Sequence, residues 1–162
     1  MDKHIFITRK IPDIAVKMLT EKGFSVDVSN EDRILTEQEI INILKGKSYN
    51  GVVCLLTDQI NKNILDASDS VKIFTNYATG FDNIDLVEAR ARNVTITNAP
   101  ASLSTEAVAQ HAIAFITSLS SRMVEADRFV REGKYIGWEP MHFTGTDFLG
   151  KTLGLVGAGR IG

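Results

Sequence analysis

The sequence predicts an α/β fold built on a doubly wound parallel sheet. Short β-branched and aromatic runs alternate with helical periodicity five times before Pro100. Alternation at similar spacing favours parallel strands joined by right-handed crossovers, with helices on both faces. One run, Gly51–Leu56, is almost wholly apolar, as suits a strand covered on both sides. Helix-capping residues also stand where helices would open and close.

Ile5–Thr8 begins the alternation as a short strand. Pro12 and Asp13 open a helix over roughly Ile14–Lys22, where Ile14, Ala15, Met18 and Leu19 fall at helical spacing and Gly23 closes it. Phe24–Val28 is the second strand. Thr36 with Glu39 three residues on forms a capping box for a helix whose apolar face is Ile40, Ile41 and Leu44 and whose end is Gly46. After the apolar strand, Asn61–Ala67 reads as a short helix with Ile64 and Leu65 inward. Val71–Tyr77 is the fourth strand. Asp85 and Glu88 repeat the capping-box spacing and open a helix to Arg92. Val94–Thr97 is the fifth strand, ended by Asn98-Ala99-Pro100.

From Ser104 the pattern changes. Ala107, Val108, His111, Ala112, Phe115, Ile116 and Leu119 form a wide apolar stripe, which predicts one long helix to about Ser120. A second helix, from about Ser121 to Gly133, is polar on one side through Arg122, Glu125, Asp127, Arg128, Arg131 and Glu132. An irregular stretch rich in aromatics follows, with Tyr135, Trp138, His142, Phe143 and Phe148. So apolar a loop is expected to pack on another domain or subunit.

Composition narrows the function classes. Of 162 residues, 44% are apolar and 23% charged, with a net charge of −2, as in an ordinary globular protein. Without a basic stripe or polybasic run, nucleic acid and membrane surfaces are not expected partners. No apolar run reaches the roughly 18 residues of a membrane span, and the N-terminus lacks a signal-peptide core. The single cysteine, Cys54, reads as a packed core thiol, consistent with a reducing, cytoplasmic setting.

Two stretches could carry chemistry. Leu153–Val156 leads into Gly157-Ala158-Gly159-Arg160-Ile161-Gly162, a G-x-G-x-x-G pattern after an apolar run. Gly157 would permit a strand-to-helix turn, Gly159 a close approach to a pyrophosphate and Gly162 helix–strand packing, while amides near Arg160 and Ile161 would donate to phosphate. By itself the motif is weak evidence, since its confirming downstream acid is absent, and an ordinary glycine turn is the competing reading. The second stretch, Asn76–Asp85, follows a strand and precedes a capped helix. Free amides around Thr79 and Gly80 could hold a carboxylate; an ordinary βα loop with Asx turns at Asp82 and Asn83 is the competing reading. His4 is expected at the surface, His111 in a core or interface, and His142 in the aromatic arm. No metal-ligand spacing or nucleophile motif stands out, and no catalytic residue is assigned.

Taken together, Leu55-Leu56-Thr57-Asp58, Asn76–Asp85, Asn98-Ala99-Pro100, Thr105–Ala109, Ala126–Gly133, Gly137-Trp138 and Gly150–Gly162 resemble the D-isomer-specific 2-hydroxyacid dehydrogenases, in their glyoxylate/hydroxypyruvate reductase branch. The resemblance runs from about residue 5 to the end and covers roughly the first half of a family enzyme. It implies a flavodoxin-like substrate domain over residues 1–98. Residues 99–162 would be linking helices, a dimerisation arm and the first strand of a truncated Rossmann domain. It places Thr79 and Gly80 at the substrate carboxylate and Leu55 on the pocket wall. Val108 falls at the nicotinamide end of NAD or NADP, and Gly157, Gly159, Arg160, Ile161 and Gly162 fall at the pyrophosphate. Trp138 falls in an arm reaching the partner subunit of a homodimer. Thr79, Ala101 and Gln110 depart from the family's common Val, Gly and acid.

The implied activity is reduction of a small 2-oxo acid to the D-2-hydroxy acid. The family's arginine, glutamate and histidine come later in the chain than Gly162, so this polypeptide is expected to be inactive. Its glycine loop is expected to be poorly ordered or repacked, with weak or no dinucleotide affinity. The competing reading is a non-catalytic folded fragment that self-associates through residues 104–133 and the arm. A flavodoxin-like binding module fits less well, because it predicts no glycine motif after residue 150.

Overall fold

A computed structural model describes residues 3–162. Five parallel strands, β1 (Lys3–Ile7), β2 (Phe24–Val28), β3 (Gly51–Cys54), β4 (Ile73–Asn76) and β5 (Thr95–Asn98), form one sheet in the order β2-β1-β3-β4-β5. The chain reverses its winding direction between β1 and β3, and in such sheets a crevice opens there at the carboxyl ends of the strands.

Side-chain alternation along the strands builds two cores. On one face Phe6, Val52, Cys54 and Phe74 pack with Ile40, Ile41 and Leu44 of α2 (Glu37–Gly46), Ile64 and Leu65 of α3 (Lys62–Leu65) and Ala89 of α4 (Leu86–Ala91). On the other, Ile5 and Ile7 pack with Ala15, Val16 and Leu19 of α1 (Asp13–Glu21) and with Val26 and Val28. The doubly wound parallel fold is therefore present, with its helices on both faces.

Local signals explain most element limits. Thr36 and Glu39 form the full reciprocal capping box at α2. Asp85 caps α4 by accepting from the Glu88 amide, yet the box stays half made because the Glu88 carboxylate pairs with Arg92 instead. On edge strand β2, Asp27 accepts from Lys47 Nζ at 2.6 Å and from the Tyr49 hydroxyl at 2.8 Å. His4, expected at the surface, is half-buried, and its Nδ1 is buried without a hydrogen-bond partner among the described residues.

The chain divides into two compact units, Met1–Pro100 and Ala101–Gly162. The second contains α5 (Ser102–Ser120) and α6 (Met123–Arg131), separated by Arg122 in the left-handed region at φ 50°. Arg122 forks onto Glu125 at 2.8 and 3.1 Å and lies over the Phe143 ring. Phe129, His142 and Phe143 form one aromatic cluster, with His142 and Phe143 stacked and Phe129 edge-to-face with both. The arm then returns to α5: the Thr146 amide donates to Ser120 O at 2.9 Å, and a Cβ on Gly145 would meet that oxygen at 2.2 Å, so only glycine fits.

Residues 151–162 contain neither helix nor strand. The strand expected over Leu153–Val156 is not formed, because strand geometry needs a neighbouring ladder and no described residue pairs with it. Among the described residues no helix is long and apolar enough to cross a membrane.

Candidate functional site

The loops that follow β3 and β4 are joined by a buried polar network. Asp58, buried at the end of the β3 loop, accepts from the Thr8 hydroxyl at 2.6 Å and from the Leu55 amide at 2.8 Å. Asn83, also buried, donates both amide hydrogens, to Leu55 O at 3.1 Å and Asp58 O at 2.8 Å. Asn76 ends β4 fully buried and donates to Gly80 O at 2.8 Å and Asn83 Oδ1 at 2.9 Å. The ends of β1, β3 and β4 are thus tied through side chains. In a low-dielectric interior a fully satisfied network of this kind fixes geometry, since losing one partner strands the others.

This network gives the Asn76–Asp85 loop its shape. The Tyr77 amide donates to Cys54 O at 2.7 Å, the Ile84 amide to Phe81 O at 3.0 Å, and the Ile60 amide to Asn83 O at 2.9 Å. Among the described residues, the amides of Thr79 and Gly80 donate to no protein acceptor. Leu55, half-buried, and Leu56, exposed, flank the loop, and a Leu56 methyl lies 3.8 Å from where a Gly80 Cβ would stand. Thr79 and Gly80 thus lie beside Leu56 at the carboxyl edge of the sheet, where free amides could hold an anion, while the Leu55 side chain packs on the Ile5, Ile7 and Ile11 core of the α1 face.

Cys54 sits beneath this region as a core residue. Its thiol points at Asn76 Oδ1, 3.5 Å away, and burial, reinforced by Asp58, pushes its pKa up to about 12. It is a free, packed core thiol. Among the described residues no cluster of His, Cys, Asp or Glu could hold a metal.

The remaining expected site residues lie in the second unit. Val108 is exposed on α5 and Trp138 is exposed in the arm. Gly157 takes φ +91°, the left-handed turn expected of the first motif glycine. A Cβ on Gly162 would meet Gly157 O at 2.4 Å, so the motif closes on itself, while Gly159 has open space around it. Arg160 and Ile161 are exposed and belong to no helix. The helix whose amides and dipole would hold a pyrophosphate is not formed after this turn.

Sequence reasoning missed the fastening role of Asn76, Asn83 and Asp58. The sequence offers only an asparagine at the end of each of β4 and β5; that Asn76 and Asn98 are register partners emerges from the sheet. It also missed a cavity of about 630 Å³ lined in part by Lys10, Ile11, Asp13, Lys17, Ser29 and Asn30, which contains none of the loop residues above.

Residues 5–152 match the family model described as D-isomer specific 2-hydroxyacid dehydrogenase, catalytic domain. A glyoxylate reductase of Thermococcus litoralis is 39% identical across all of this chain, which covers 49% of that enzyme. The crystal structure of the TT0316 protein of Thermus thermophilus superposes with a TM-score of 0.90 at 32% identity, over 98% of this chain and 50% of that one. An NADPH-dependent glyoxylate/hydroxypyruvate reductase of Sinorhizobium meliloti, in complex with citrate, gives a TM-score of 0.73 at 26% identity, over 99% of this chain and 48% of that one. The chain spans about half the length of these relatives.

Proposed function

The chain belongs to the D-isomer specific 2-hydroxyacid dehydrogenase family, and we propose that it supplies the substrate-carboxylate side of the active site in an NAD(P)-dependent reductase of small 2-oxo acids such as glyoxylate or hydroxypyruvate. The observation that carries this reading is the pair of free amides at Thr79 and Gly80, held beside Leu56 at the carboxyl end of a parallel sheet. A carboxylate accepting two N–H groups gains charge-assisted hydrogen bonds without a cation. The exposed Leu56 gives the pocket an apolar wall that suits a short carbon chain.

When bound, the nicotinamide supplies the hydride. This chain's residues fix the carboxylate and so orient the 2-oxo carbon, which lowers the entropic part of the barrier. Val108 would lie at the nicotinamide end, Gly157, Gly159, Arg160, Ile161 and Gly162 would open the pyrophosphate loop, and Trp138 would reach a partner subunit's pocket. Residues 1–98 then form most of the substrate domain and 99–162 the linking helices, the arm and the start of the nucleotide domain. The Sinorhizobium relative is named for NADPH, and the reading takes NAD or NADP as the cofactor without distinguishing them.

The family's carbonyl-binding arginine and its histidine–glutamate proton pair are expected outside these 162 residues, so the chain alone should not turn over. The test is NADH and NADPH oxidation against a panel of 2-oxo acids, run with this polypeptide and with the product of its complete reading frame. Turnover by the 162-residue chain would overturn the assignment of catalysis to the other half. Failure of the complete product with every 2-oxo acid would overturn the substrate class.

A second reading rests on the second unit, where Leu103, Ile113, Phe115, Leu119, Val124 and Trp138 are exposed. Patches of this kind favour association, so α5, α6 and the arm are proposed to build a homodimer. Sedimentation of a monomer at high protein concentration would overturn that.

A further inference from the structure

We infer that three successive amides, Thr79, Gly80 and Phe81, form one carboxylate-binding row, and that Asn98 and Asn76 aim it. This inference rests on the carboxylate reading of the loop and adds a third donor and two positioning residues to it.

A trans peptide points its C=O and its N–H in opposite directions, so holding the carbonyl of one residue aims the amide of the next. No cis peptide occurs among the described residues. Three carbonyls in a row are held in this loop. Ala78 O accepts from the Ala99 amide at 2.8 Å, which turns the Thr79 N–H away from β5. Thr79 O accepts from Asn98 Nδ2 at 2.7 Å, which turns the Gly80 N–H away from Asn98. Gly80 O accepts from Asn76 Nδ2 at 2.8 Å, which turns the Phe81 N–H away from the buried network. None of the three amides so aimed has a protein acceptor among the described residues.

The two asparagines are themselves fixed. Asn76 and Asn98 are register partners at the ends of β4 and β5, so their side chains start from one level of the sheet. Asn76 cannot rotate freely, because its second amide hydrogen goes to Asn83 Oδ1 and its own Oδ1 accepts from the Cys54 thiol. Asn83 is locked in turn by two backbone carbonyls. The Asp82 carboxylate, 3.8 Å from the Cβ position of Gly80, opposes an incoming anion, so affinity depends on how well the amides are aimed.

The test is an amide-resolved NMR titration of the 162-residue chain with oxalate, a small dicarboxylate standing for the 2-oxo acid. The amides of Thr79, Gly80 and Phe81 are expected to shift together and saturably. Asn98→Ala should weaken oxalate about five- to tenfold, the value of one hydrogen bond, with β1 and β3 amides unmoved. Asn98→Gln, which keeps the carboxamide on a longer arm, should regain part of the loss. Asn98→Ser, too short to reach Thr79 O, carries the alanine expectation should that variant fail to fold. A silent Phe81, or oxalate binding unchanged in Asn98→Ala, overturns this inference and leaves the Thr79–Gly80 reading standing. A titration in which no loop amide responds overturns both.

Discussion

In the unit ending at Pro100, the strands bury Phe6, Ile7, Val52 and Phe74 against helices of the same unit. In Ala101–Gly162, by contrast, Leu103, Leu119, Val124 and Trp138 face solvent, and among the described side chains of α5 and α6 none is buried. Both halves carry apolar residues at periodic spacing. The difference lies in what each pattern needs beside it. Alternating strands in a sheet bring their own covering helices with the crossovers. A helix with an apolar stripe gains its stability from a surface packed against that stripe.

This contrast can be broken most directly by Phe74→Ala. The side chain is 1% exposed at the centre of the larger core, and its loss should cost about 3–5 kcal/mol. Hydrogen exchange resolved by residue should show β3 and β4 amides losing protection while those of α5 hold theirs. Equal loss in both would show one cooperative unit where two are described.

A smaller effect is expected at α2. Thr36→Ala removes the capping hydroxyl and should cost about 1 kcal/mol. Its partner Glu39 is held down to about 2, first by Arg33 and then by Thr36. A carboxylate with a lowered folded-state pKa stabilises above its ordinary value and loses that contribution as pH falls through the folded one. Stability contributed by Glu39 should therefore fade between about 4.5 and about 2, and Glu39→Gln should flatten that part of the acid-unfolding curve. An unchanged acid limb would remove the capping box from the account of α2.

The smallest effect is expected at Leu119, exposed at the end of α5. Leu119→Ser in a chain kept dilute should change stability within about 0.5 kcal/mol, as for uncovered surface positions. A loss above that in chemical denaturation would mean that this stripe is already covered.

Much of the first unit was legible because each of its signals is local. Thr36 with Glu39, the apolar run at Gly51 and the helical spacing of Ile40, Ile41 and Leu44 each act within a few residues. What stayed hidden was non-local. Nothing near Asn98 announces that its carboxamide will reach Thr79 O nineteen positions back. Nothing near Asp58 announces Thr8, fifty positions back. The half-made box at Asp85 failed for a related reason, since Arg92 competes for Glu88. Leu153–Val156 shows the limit most plainly: its residue types favour a strand, and a strand exists only beside another.

The aspartate on β2 has a consequence for how the molecule behaves in a crowd. β2 lies at the margin of the sheet, where unpaired peptide groups invite a neighbour's strand to add on. Asp27, next to the last residue of β2, places a charge on that margin, and the hydrogen bonds from Lys47 and Tyr49 hold its pKa below the usual carboxylate range. An approaching strand would have to strip water from that ionised group before its own backbone could pair. One of the sheet's two edges thus carries a charge of the kind that discourages edge-to-edge pairing, held by residues that also fasten β2 to the end of α2.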